Sequence, residues 1–82
     1  MTQAQSTLYY RVTSITEEYL GPAAERFVTR QISFHLGKQP QELSRDDLPK
    51  LIEWSRVTLG LLTEDHAIVD EYARKLTELS QR

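Results

Sequence analysis

Apolar residues recur every three or four positions along most of this 82-residue chain, and glycine, proline and polar runs interrupt them near residues 21–22, 37–47 and 63–65. In the first segment Leu8, Val12, Ile15 and Tyr19 fall four, three and four apart. The β-branched and aromatic content of residues 8–15 favours a strand, but no second strand is available to pair with it, and a lone strand leaves its backbone groups unpaired. The pattern therefore predicts a helix over about 7–20. Gly21-Pro22 reads as stop and restart: glycine tolerates the positive φ that ends a helix, and proline fits a first helical position whose N–H has no partner. The next helix runs to about Leu36. Ala24, Val28, Ile32, His35 and Leu36 share one stripe, Phe27 and Phe34 mark a second, and Gly37 supplies the stop. A helix apolar on two faces is expected to be surrounded by the others.

Lys38-Gln39-Pro40-Gln41-Glu42-Leu43 is a polar connector with room for a single turn and with Leu43 as an apolar plug. Ser44-Arg45-Asp46-Asp47 resembles a capping box with aspartate in place of glutamate. Pro49 fits better in the first turn of a helix capped at Asp46 than deep in one capped at Ser44, and either way the helix runs to about Leu62. Leu48, Leu51, Ile52, Ser55, Leu59 and Leu62 form its stripe, widened by Trp54, Val57 and Leu61. Gly60 within it costs about 1 kcal/mol relative to alanine, which suggests close approach of a neighbour. Thr63 is the expected cap of a last helix on which Ile68, Val69, Tyr72, Ala73, Leu76 and Leu79 line up. The sum is an all-α chain, a small four-helix antiparallel bundle. Residues 7–82 form one domain, and residues 1–6, which hold nothing that can be buried, are expected to be disordered.

Composition narrows function by exclusion. Ten basic against twelve acidic residues give a formal net charge of -2, which argues against nucleic acid as the main partner. The absence of cysteine rules out disulfides, thiol catalysis and thiolate metal sites. No apolar run approaches the ~18 residues of a membrane span, and the polar N-terminus has no signal-peptide core, so a cytoplasmic location is expected. No cofactor is implied. His35 and His66 lack the spacing of a metal pair, and one imidazole cannot hold a metal. Asp46-Asp47 and Glu64-Asp65 suit helix N-termini. Glu17-Glu18 sits near a helix C-terminus, where negative charge is unfavourable, and so calls for a partner: Arg26, Arg30 or another chain. Arg26 and Arg30, four apart, could receive an acidic partner. Of the adjacent Tyr9 and Tyr10, at least one is expected at the surface. No nucleophile with a base in reach is apparent, so an enzyme is not expected.

Tyr19-Leu20-Gly21-Pro22-Ala23-Ala24, followed by Phe27-Val28, resembles a bacterial helical domain of unknown function. That family carries a Leu-Gly-Pro-Ile-Ala-like signature and is found at the C-termini of signalling proteins, including serine/threonine kinases and response regulators. Ala23 stands where the signature prefers isoleucine. The resemblance implies an accessory or regulatory module. It joins the residue pattern in pointing to a protein-interaction domain, a homodimer being one form of it. Its candidate surface is Tyr9, Tyr10, Arg26, Phe27, Arg30, Phe34, Trp54, Val57 and Leu61, and its structural turns are Gly21, Pro22 and Gly37. A small-molecule sensor with a pocket between helices, using His35 and the aromatics, is the alternative. A DNA-binding helix-turn-helix is the least favoured by charge.

Overall fold

The computed structural model describes residues 7–81; residues 1–6, with the disorder expected of them, and Arg82 lie outside that range. Every regular element among the described residues is helical. The α-helices are α1 (Thr7–Leu20), α2 (Ala24–Gln31), α3 (Leu48–Leu62) and α4 (His66–Ser80). Three of them are long, with 14 or 15 residues each, whereas α2 has eight. The all-α class is as expected; four comparable rods are not what the chain forms.

The joints follow the glycines and prolines. Gly21 has φ +57° and begins a tight 3-10 turn, Gly21–Ala23, that contains Pro22 and leads into α2. Gly37 has φ +66° and caps the segment after α2 in the left-handed conformation. That segment, Ile32–Leu36, is a widened turn in which the Gly37 N–H bonds the Ile32 carbonyl five residues back. A wider turn advances each residue through a smaller angle. Phe34 therefore falls behind the Phe27 stripe and points outward. Phe27 is buried, as are Ala24, Val28, Gln31 and Ile32, because α2 packs between α1 and α3.

The core gathers one stripe from each helix. On α1 the buried line is Tyr9, Val12 and Thr16, with Leu8, Ile15 and Tyr19 at its margin. Its axis is rotated from the line the apolar residues alone suggest, because the Thr16 hydroxyl is drawn inward by hydrogen bonds. Thr16 Oγ1 donates to the Val12 carbonyl at 2.8 Å and lies 2.8 Å from Tyr72 Oη. With the threonine proton committed to Val12, the tyrosine hydroxyl is the donor to Thr16. Ser55 of α3, also buried, lies beside the same tyrosine. Burial pushes the Tyr72 phenol above its ordinary value. A buried hydroxyl pair thus ties α1 to α4, with Ser55 of α3 beside it.

The connector behaves as its composition suggests. Pro40–Glu42 forms one 3-10 turn, and Leu43 is buried behind it. A second turn, Arg45–Asp47, precedes α3. Asp65, not Thr63, caps α4: its carboxylate accepts from the Ala67 N–H at 3.0 Å, while Thr63 Oγ1 accepts from the Asp65 N–H at 3.1 Å. The chain is extended at Thr63, so the helix begins two residues later than threonine would have it.

Gly60 is a second correction. It is exposed, and a Cβ built on it meets nothing within 4 Å. Among the described residues no neighbouring helix uses its smallness. Gly60→Ala is expected to raise stability by about 0.5–1 kcal/mol, read as a higher midpoint in urea unfolding with an unchanged slope.

Candidate interaction surface

The outer side of α3 carries a second apolar stripe. Leu48, Leu51, Ser55 and Leu59 face the core, and Trp54, Val57 and Leu61 recur at three and four residues on the opposite side. Their exposures are 38%, 52% and 81%. Sequence spacing treats these three as a widening of the buried face; the structure separates them into a face of their own. Leu62, expected in the core, is exposed as the last residue of the helix.

The end of α2 adjoins this face. The His35 imidazole lies flat against the Trp54 indole, with centroids 4.0 Å apart and planes 6° from parallel. Next to His35, Phe34 is 72% exposed, and the Arg30 guanidinium sits 5.9 Å from its ring centroid. Thr58 Oγ1 lies 3.0 Å from the Trp54 carbonyl and 3.3 Å from Gln31 Oε1, so it braces α3 against α2. The widened turn is what presents Phe34 outward and His35 toward Trp54. Exposed aromatic and aliphatic side chains gathered on one face mark contact sites, because monomeric proteins rarely leave large contiguous apolar patches in water.

The remaining candidate residues divide. Tyr9 and Phe27 are buried and belong to the core, not to a surface. Tyr9 faces inward, with its hydroxyl 3.2 Å from Thr29 Oγ1 on α2, whereas Tyr10 is exposed and tilted against it. Arg26 is exposed, and neither it nor Arg30 forms an ion pair among the described residues. The partner sought for Glu17-Glu18 is Lys75 of α4, whose ammonium reaches Glu18 at 2.6 Å. That bond, with the nearby Tyr19, raises the Lys75 pKa. Tyr19 also donates to Glu71 at 3.0 Å. Burial is the main cause of the raised Tyr19 pKa.

A separate cleft of about 620 Å³ lies between α1 and α4, with Tyr10, Arg11, Ile15, Lys75 and Leu79 among its walls. His35 is not part of it; its ring is occupied by Trp54. Among the described residues no three His, Cys, Asp or Glu side chains gather as a metal site, and no helix is long and apolar enough to cross a membrane.

Sequence reasoning named Phe34, Trp54, Val57 and Leu61 but not the ring stack that joins two of their elements. His35 and Trp54 are 19 residues apart, and only packing brings them together. No known protein family, no curated protein and no solved structure matches the chain.

Proposed function

We propose that this domain is a non-enzymatic protein-interaction module of a regulatory kind, working through the outer face of α3 and the adjoining end of α2. The observation that carries the reading is the exposure of Trp54, Val57 and Leu61 on the outer face of α3, with Phe34 exposed next to the His35 that stacks on Trp54. In this reading α2 and its widened turn serve as the short fourth member of an antiparallel bundle, and their role is to present Phe34 and hold Trp54 in place. The resemblance of the Leu20-Gly21-Pro22 joint to a module of bacterial signalling proteins supports the same class, with a cytoplasmic setting.

Leu61→Asp tests it. Leu61 is 81% exposed, so the variant should melt within a few degrees of the parent, since surface substitutions usually fall within about 0.5 kcal/mol. Association, with itself or with a protein captured from the source cell, should be lost. Unchanged association with unchanged melting overturns the reading. The cleft between α1 and α4 favours a second one, a small-molecule sensor. A hydrophobic compound that co-purifies, and is released by Ile15→Glu but retained by Leu61→Asp, would favour it.

A further inference from the structure

The outer stripe of α3 has the spacing of a helix-pairing seam. Lys50, Trp54, Val57 and Leu61 recur at four, three and four residues, the alternation that keeps one line of side chains facing a partner helix. The stripe is about 17 Å long at 1.5 Å per residue. Its charges are arranged end to end: Lys50 stands at the N-terminal end, and Glu64 comes three residues after Leu61, just past the end of the helix. Both are exposed, and neither is in an ion pair among the described residues. A stripe with a cation at one end and an anion at the other complements its own reverse. Parallel pairing of two copies sets lysine against lysine and glutamate against glutamate. Antiparallel pairing sets Lys50 of each copy against Glu64 of the other, brings Trp54 opposite the Leu61 region and crosses the pair near Val57. That arrangement is a two-fold, isologous interface, and it also opposes the two helix dipoles favourably.

We infer that the occupant of the outer α3 face is a second copy of this chain, packed antiparallel along Lys50, Trp54, Val57 and Leu61, with Lys50 and Glu64 exchanging across the two-fold axis. This deepens the interaction-module reading and rests on it. A seam of three turns is short, so association should be reversible in the micromolar range. His35, stacked on Trp54, adjoins the seam at the end of α2.

The chain's single tryptophan lies in the seam, which makes Trp54 a built-in reporter. The experiment is a dilution series from about 1 µM to 1 mM, followed by sedimentation velocity and by Trp54 emission together. The inference expects the mass to double while the emission shifts to shorter wavelength over the same range. Leu61→Asp should weaken self-association at least about 100-fold, since two copies of an apolar contact are lost and two charges are buried at once. Lys50→Glu should weaken it about tenfold, and Lys50→Glu combined with Glu64→Lys should restore it. The two positions lie about 20 Å apart within one helix-length, beyond direct contact, so restoration can only arise between copies. Doubling of mass without a Trp54 shift overturns the inference, because the dimer then uses another surface. A strict monomer at 1 mM also overturns it. If that monomer still captures a protein through a Leu61-dependent contact, the interaction-module reading stands without the self-pairing; if it captures nothing, both fail.

Discussion

Tyr72→Ala is expected to remove a large share of the domain's stability. Removing a large buried ring costs about 3–5 kcal/mol in lost transfer and cavity formation, and a chain of this length has only about 4–12 kcal/mol in total. The ring is among the largest fully buried side chains, and its hydroxyl is the hinge of the Thr16–Tyr72–Ser55 cluster. Tyr72→Phe separates the two contributions. It keeps the ring and strips the hydroxyl, leaving Thr16 bonded only to the Val12 carbonyl. The expected cost is about 1–2 kcal/mol, the range for leaving buried polar groups unpaired. Thr16→Val should cost a similar amount alone, and the double variant should cost clearly less than the sum, because both changes remove the same bond. Urea unfolding followed by helical circular dichroism measures all four chains. Additive losses would mean the hydroxyl pair contributes nothing of its own, and a neutral Tyr72→Phe would assign the whole effect to packing.

That cluster also marks the limit of what the sequence discloses. The joints are legible because glycine and proline carry their conformations with them: Gly21, Pro22 and Gly37 stand where the chain turns. Leu43 is legible because one leucine in a polar run has few places to go. Stripes on α3 and α4 are legible because their apolar residues repeat at helical spacing. Thr16 is not, since nothing in a threonine's position announces that a tyrosine 56 residues later will meet it. The Lys75–Glu18 pair and the His35–Trp54 stack fail for the same reason: each depends on how two helices are rotated about their axes. The outward swing of Phe34 depends on a single widened turn, which periodicity at a fixed angle per residue cannot represent. On the candidate surface the outer α3 residues were visible as an excess of apolar positions. Their separation from the core face required knowing which side α4 covers.

Asp47 should be the most consequential polar residue outside the core, because it secures the start of α3 and the connector at once. Its Oδ2 accepts from the Ser44 N–H at 3.0 Å and lies 3.2 Å from Ser44 Oγ, while Lys38 Nζ reaches Oδ1 at 3.0 Å and Oδ2 at 2.9 Å. The first of these is the reach-back half of the capping box the sequence suggested. Burial alone would raise the carboxyl's pKa, but the bonds from Lys38 and Ser44 outweigh it and hold the group below its ordinary range. Folding therefore favours the ionised form. The stabilisation is fully present above the unfolded pKa of about 4 and is lost as pH falls through the lower folded value. Asp47→Ala should cost about 1–2 kcal/mol at pH 7, mostly from the lost cap. The Lys38 share is small, because that side chain is 38% exposed and its pairing is screened. Asp47→Asn should keep part of the cap, since its amide oxygen can still accept from Ser44, and should lose the acid-dependent part. Melting curves from pH 7 down to about pH 2 should thus show the parent falling toward the Asp47→Asn curve and meeting it at the acid end. A gap between the two that stays constant with pH would mean the carboxylate's charge has no part in holding the connector to α3.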